Sequence, residues 1–186
     1  MKSIIKTPLL FCTVMCICFC SCNSLGKNLL GAEISPNDSV KKILGDSVCS
    51  VVYQPTQVKL FTLSTESVGD KDETIGGYKV KEYIGCIRKD YYSILLFLLS
   101  DHSEYFNGVI YPAAPFIPEV ALKFSDPNNN VVDFVFSFSG GQMKVVYNGH
   151  TTQTLKYLHE RWIMIFFNNL IKNNDWTKIL ETEEAL

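Results

Sequence analysis

The sequence has little charge of one sign and few of the residues that build catalytic or metal sites. Its 186 residues contain 17 Lys and Arg against 19 Asp and Glu, and the formal net charge is −2. Because no basic stripe is present to neutralise phosphates, nucleic-acid binding is disfavoured. Only three histidines occur, and neither a phosphate-binding loop motif nor a dinucleotide-binding motif is found. The composition is instead that of a folded domain, since 47% of the residues are apolar and 19% are charged.

Cysteine is also scarce beyond the N-terminal segment. Five of the seven cysteines lie within the first 22 residues, which leaves Cys49 and Cys86 for the folded part. This distribution argues against a disulfide-rich scaffold. In an oxidising compartment Cys49 and Cys86 could form one disulfide, and the alternative is a pair of buried free thiols. Both readings stay open at this point, because the sequence does not give the distance that a bridge requires.

The N-terminal segment has the pattern of a secretory signal. Two lysines precede an apolar stretch from Pro8 to about Phe19, which is too short for a bilayer core but suits the central part of a signal peptide. The tetrapeptide Phe19-Cys20-Ser21-Cys22 looks like a bacterial lipobox, with departures at its first two positions. We predict a lipoprotein-type signal peptide at residues 1–21 and lipid attachment at Cys22. The alternatives are an ordinary cleaved signal and an uncleaved, membrane-anchored segment.

This signal sets the expected location and domain organisation. A lipid on Cys22 would anchor the protein to a membrane of the bacterial cell envelope, with the outer membrane favoured and the domain periplasmic or surface-exposed. Residues 22–46 contain several turn formers and few strong apolar residues, so we predict a tether there, with a short helical turn around Val40–Leu44. Residues 47–186 are expected to fold as a single α+β domain.

Alternating apolar residues predict several strands. Gln57–Leu63 is predicted to be a strand that follows a shorter extended piece at residues 48–53, and Lys79–Ile84 a second, short strand. The clearest pattern covers residues 120–155, where apolar runs alternate with turn formers such as Asn148-Gly149. We predict an antiparallel meander of four strands in this region.

Two segments are predicted to be helices. Asp90 is the expected N-cap of Tyr91–Ser100, which is apolar on every face and is therefore expected to be buried all round. Residues 158–172 have apolar residues at helical spacing, including Trp162, that would cover one face of the sheet. The predicted fold is α+β: an antiparallel β-meander of about four to five strands packed against two helices in a two-layer sandwich.

No local pattern supports a catalytic or metal site. His159-Glu160 begins like the helix motif of zinc proteases, but Ile163 stands where the second histidine ligand should be. Asp70, Asp72 and Glu73 do not have the spacing of a calcium-binding loop. We therefore expect no catalytic residue, no metal and no cofactor, and structural or surface roles for all three histidines: His102, His150 and His159.

One segment of the predicted meander resembles a known group of proteins. The sequence FIPEVALKF at residues 116–124 is followed by a polar turn and by VDFVFSF at residues 132–138. Together with the lipoprotein-like start, this segment resembles small lipoproteins of unknown function from Bacteroides-type bacteria. A cysteine pair that such relatives carry is replaced here by Ser137 and Ser139, so a metal or redox role does not carry over. The resemblance implies fold and location only.

An anchored, well-patterned domain without a catalytic constellation is expected to act by binding. We predict a non-catalytic protein-interaction or assembly domain that has an envelope protein as its partner. The alternative is a glycan- or peptide-binding module of the envelope, and an enzyme with an unfamiliar site is a third hypothesis. An exposed apolar surface would favour the first, and an aromatic-floored cleft the second. The tyrosines that could stack on such a ligand, or simply form core and rim, are Tyr53, Tyr78, Tyr83, Tyr91, Tyr92, Tyr105 and Tyr111.

Overall fold

The computed structural model describes residues 34–101, 105–106, 115–157 and 160–171. These residues form four α-helices and eight β-strands. The helices are α1 (Asp38–Leu44), α2 (Asp46–Tyr53), α3 (Lys89–Ser100) and α4 (Glu160–Leu170). The strands are β1 (Gln57–Leu63), β2 (Thr74–Ile75), β3 (Tyr78–Cys86), β4 (Tyr105–Phe106), β5 (Val120–Ser125), β6 (Val131–Ser137), β7 (Gln142–Tyr147) and β8 (His150–Tyr157).

The strands form one antiparallel sheet in the order β2-β3-β1-β5-β6-β7-β8-β4, which is curled into a half-barrel. Strands β5 to β8 are neighbours both in sequence and in space, as predicted for residues 120–155. The turn between β7 and β8 has a positive φ at both Asn148 (47°) and Gly149 (82°), as a two-residue type I′ hairpin requires. In the β5–β6 turn, the Asp126 carboxylate accepts hydrogen bonds from the N–H groups of Asn128 and Asn130, both at 2.8 Å.

The main hydrophobic core lies between the four helices and one face of this sheet. Alternate residues of neighbouring strands, such as Leu122, Phe134 and Met143, point toward the helices and are fully buried. The Phe136 ring meets Phe167 of α4 edge-on, with 5.4 Å between the ring centroids. The helices complete this core with buried residues that include Val40, Leu44, Val51, Val52, Leu95, Leu96, Leu99, Ile163 and Phe167.

The opposite face of the sheet carries a second, smaller apolar cluster. Its buried members are Phe61, Leu63, Ile75, Ala121 and Val135. Ile75 belongs to the short β2–β3 hairpin, so this hairpin folds back over the sheet and covers part of the second face.

The predicted fold class is wrong in its architecture. The described residues contain eight strands and four helices, where four to five strands and two helices were predicted, and the sheet is a curled half-barrel. The two strands that no predicted strand segment covers, β2 and β4, have only two residues each, which is too short for any alternation of apolar residues to be visible.

Helix α2 replaces the extended piece predicted at residues 48–53. Valine and tyrosine favour strands, but Val48, Val51 and Val52 are spaced three and four residues apart, so they share one buried face of a helix. Gly45 ends α1 with a φ of 89° and donates its N–H to the Lys41 carbonyl at 2.8 Å.

Helix α1 places part of the predicted tether inside the packed domain. The helical turn expected at Val40–Leu44 is present and extends to Asp38, and both Val40 and Leu44 are buried in the main core. The Asn37 side chain caps the helix by accepting a hydrogen bond from the Val40 N–H at 2.8 Å. The folded domain therefore begins before residue 47.

Candidate functional site

Helix α3 has one buried face and one exposed apolar face. Tyr92, Leu95, Leu96 and Leu99 follow the i, i+3, i+4, i+7 spacing and are buried in the main core. Tyr91 and Ile94 are each 37% exposed and Phe97 is 72% exposed, whereas Leu98 is partly buried against the core. The prediction of a helix buried on every face is therefore wrong, because the core covers α3 from one side. We call the exposed residues Tyr91, Ile94 and Phe97 the α3 stripe.

The start of α3 also differs from the prediction, whereas its end at Ser100 agrees with it. The N-cap is Arg88, so Asp90 lies inside the helix. The Arg88 guanidinium carbon lies 5.8 Å from the centroid of the Tyr91 ring, within the range of a cation–π contact. A positive charge therefore stands at the N-terminal end of the α3 stripe.

Three buried tyrosines fix the position of α3. The Tyr92 hydroxyl donates to the Val52 carbonyl of α2. The hydroxyls of Tyr53 and Tyr105 both donate to the Leu99 carbonyl in the last turn, at 3.3 and 2.7 Å, and so satisfy a carbonyl that has no partner within the helix. Burial raises the pKa of Tyr53 to about 12 and raises the pKa of Tyr92 as well, so both phenols remain donors near neutral pH.

The N-terminal end of the described domain lies beside the C-terminal end of α3. The Asn37 side-chain amide donates to the Ser100 carbonyl at 3.2 Å, while its oxygen caps α1. Ser100 is three residues beyond Phe97, so the chain that arrives from Cys22 enters the domain close to the α3 stripe.

Helix α4 contacts α3 and also exposes an aromatic residue. Trp162 was expected to cover the sheet, but it is 57% exposed, whereas Ile163, Met164 and Phe167 are buried. Leu158, the first residue of the predicted helix, lies outside the described residues.

The two cysteines of the folded part occupy different environments. Cys49 is buried in α2, and its burial, together with the nearby Asp46 charge, raises the pKa of the thiol to about 11. Cys86 is exposed at the end of β3, where its sulfur accepts the Gln57 Nε2–H at 3.0 Å and lies 3.2 Å from the Tyr83 hydroxyl. Both are free thiols in the structure, and the Cys49–Cys86 disulfide stays a prediction. The proposed lipid site, Cys22, lies outside the described residues.

The polar residues weighed as site candidates are dispersed. His150 is exposed on β8, and His102 and His159 lie outside the described residues. Asp72 accepts the Gly69 N–H at 2.8 Å and pairs with Lys79 at 3.4 Å; the Gly69 hydrogen bond is the main reason that its pKa is lowered. Within the described part of the chain, no group of three or more His, Cys, Asp or Glu side chains could hold a metal ion.

The candidate stacking tyrosines divide between core and surface. Tyr53, Tyr92 and Tyr105 are buried, and Tyr111 lies outside the described residues. Tyr83 is 49% exposed, and its ring is tilted against Phe61 with 5.1 Å between centroids. Tyr78 stacks on Phe116 at 5.6 Å, and the Lys144 ammonium lies 4.8 Å from the Tyr78 ring. Tyr91 belongs to the α3 stripe.

One buried charged residue, Asp133, is not among the candidate residues that the sequence pattern indicates. Its side chain is 7% exposed in the middle of β6, on the second face of the sheet. The signal available in the sequence was a single carboxylate within the otherwise apolar run VVDFVF.

None of the four described helices has the length and apolar character that a membrane span requires. No protein-family model matches the chain, and no curated protein or solved structure is similar enough to give a match.

Proposed function

We propose that this chain is a lipid-anchored protein of the bacterial cell envelope whose domain binds a partner protein through the α3 stripe, without catalysis. The observation that carries the proposal is the 72% exposure of Phe97 beside a fully buried Leu96. An exposed run of large apolar side chains on a folded domain is typical of an interaction surface. Aromatic residues of this kind are enriched at the centres of protein interfaces.

The exposed area of Phe97 sets the size of the expected effect. Complete burial of a Phe side chain contributes about 1.5–3 kcal/mol, and about 70% of this residue remains to be buried by a partner. Binding should therefore gain about 1–2 kcal/mol from Phe97, which corresponds to about a 5- to 30-fold change in affinity.

The position of the chain entry favours a partner at the membrane surface. Twelve residue steps separate the predicted lipid on Cys22 from Ile34, so this connection spans at most about 40 Å. Asn37 is bonded to the Ser100 carbonyl at the end of α3, so the α3 stripe stays close to the point where the chain enters the domain. A protein embedded in the same membrane, or anchored to it, would meet this stripe at a high effective concentration.

Crosslinking and copurification of the full-length protein from cells test this proposal. We expect one stoichiometric envelope protein to copurify with the wild type and to be reduced at least 5-fold by Phe97→Asp. Thr154→Asp introduces the same charge at an exposed position of β8 and should retain the partner. Melting temperatures of the purified variants show that each is folded. Retention of the partner by Phe97→Asp, or the absence of any partner with the wild type, would contradict the proposal.

A glycan- or peptide-binding role is the second candidate, and the exposed Tyr83 favours it. A half-exposed ring supported by Phe61 is a suitable platform for stacking. Under this alternative, a glycan or peptide fraction from the envelope should raise the melting temperature of the wild type but not that of Tyr83→Ala. Equal shifts for both proteins would rule out Tyr83 as the platform.

A further inference from the structure

The β2–β3 hairpin is seated directly on the second face of the sheet. Ile75 is buried in the cluster with Phe61, Ala121 and Val135. At the turn, Gly76 has a φ of 59°, and a Cβ at this position would lie 2.6 Å from Cγ2 of Val135. The backbone of the turn therefore packs against the sheet without room for a side chain.

The turn has a polar connection to this face through a buried carboxyl group. The Gly76 N–H donates to Oδ2 of Asp133 at 3.2 Å. Oδ1 of Asp133 is buried and accepts no hydrogen bond from the residues that the structure describes. A buried carboxylate with one unsatisfied oxygen is costly, and the cost falls when the group is protonated or reached by water.

Few nearby charges offset the free-energy cost of burying the Asp133 carboxylate. Lys123 of β5 is paired in register with Asp133, but it makes no ion pair with Asp133 within 4 Å among the described side chains. On the other side, β7 places Val146 opposite Asp133, and the nearby Lys144 of the same face contacts the Tyr78 ring and hydroxyl. The residues of the turn itself, 75–77, carry no charge.

We propose that Asp133 acts as a proton-operated latch for the β2–β3 hairpin. While the Asp133 carboxyl group is neutral, the hairpin stays seated, that is, packed on the second face of the sheet. When the carboxyl group is ionised, the hairpin loosens and moves away from this face. Loosening lets water reach both carboxylate oxygens, and it uncovers the apolar cluster of the second face. This latch is independent of the α3 stripe, since it acts on the opposite face of the sheet.

The direction of the pH dependence follows from the environment of Asp133. Burial raises the pKa of this carboxyl group, and the Lys123 charge and the Gly76 hydrogen bond oppose the rise only in part. The seated hairpin therefore binds the proton more tightly than the loosened one. The contribution of protonated Asp133 to the stability of the seated hairpin is fully present below the ordinary aspartate pKa of about 3.9. This contribution is lost as the pH rises through the raised pKa of the seated form.

Hydrogen exchange of the full-length protein in detergent between pH 4 and pH 8 tests the latch. The readout is the protection factor of the amides of residues 74–78, corrected for the intrinsic exchange rate at each pH. In the wild type we expect protection to fall about tenfold for each unit by which the pKa is raised. Asp133→Asn cannot ionise and should keep constant protection, whereas Asp70→Asn, an exposed matched control, should behave as the wild type.

A second variant tests the same latch without altering the carboxyl group. Lys123→Met removes a charge that favours ionisation, so the loss of protection should move to higher pH. The proposal is overturned if wild-type protection is constant with pH, if Asp133→Asn shows the wild-type slope, or if Lys123→Met moves the transition to lower pH.

Discussion

Replacing Leu96 and Phe97 separately by alanine compares the two faces of α3 at neighbouring positions. Leu96 is fully buried in the main core, and Phe97 is 72% exposed. Both are interior positions of the same helix, and alanine is the best helix former, so helix propensity makes little difference between the two variants.

The structure gives different magnitudes for the two changes. Leu96→Ala removes fully buried methyl groups and leaves a cavity, so we expect it to lower the free energy of unfolding by about 2–5 kcal/mol. Full burial of a Phe side chain covers about 150–250 Å². The roughly 30% of Phe97 that is buried is therefore about 45–75 Å², which contributes about 0.5–1 kcal/mol because full burial of a Phe side chain contributes about 1.5–3 kcal/mol. Alanine retains part of that contact, so the expected cost of Phe97→Ala is below about 1 kcal/mol.

Urea denaturation of the full-length chain in mild detergent measures both changes. The midpoint should fall clearly for Leu96→Ala and little for Phe97→Ala, with similar m-values. A cost above about 2 kcal/mol for Phe97→Ala, or one below about 1 kcal/mol for Leu96→Ala, would show that α3 is rotated about its axis relative to this description. The α3 stripe would then not exist.

Three further predictions concern the anchor, the thiols and the hairpin. Cys22→Ala should abolish labelling of the protein by a fatty-acid analogue in cells; persistent labelling would assign the lipid to another cysteine. In the reduced mature protein, an aqueous thiol reagent at pH 8 should modify the exposed Cys86 within minutes. Cys49 should react only after unfolding, because its thiol is buried and has a pKa of about 11. Equal reaction rates for the two thiols would refute this difference. Gly76→Ala should destabilise the protein by at least about 2 kcal/mol, because the new Cβ clashes with the sheet and the backbone is left-handed. Gly77 has a φ of 86° and open space around it, so Gly77→Ala should cost only about 1–2 kcal/mol. Equal losses would mean that the turn does not touch the sheet.

Local patterns predicted the elements that carry them clearly. Gln57–Leu63 has the bounds of β1, and the four strands from residue 120 follow from alternating apolar residues and from turn formers such as Asn148-Gly149. The predicted helix near the C-terminus corresponds to α4, which begins and ends two residues inside it.

Tertiary contacts decided what local patterns could not. Every face of α3 is apolar, so the sequence could not say that Leu96 meets the core and Phe97 meets solvent. The same holds for Asp133, because the hairpin that covers it is separated from it by 57 residues along the chain. The α3 stripe and the latch therefore became visible only when distant segments were brought together.

The most direct test of the central claim is photo-crosslinking in living cells from position 97. A photoreactive amino acid at this position of the full-length protein should crosslink in high yield to one envelope protein, whereas the same group at position 154 on β8 should give little of that product. Equal yields from both positions, or crosslinks from position 97 to lipid alone, would contradict the claim that the α3 stripe binds a partner protein.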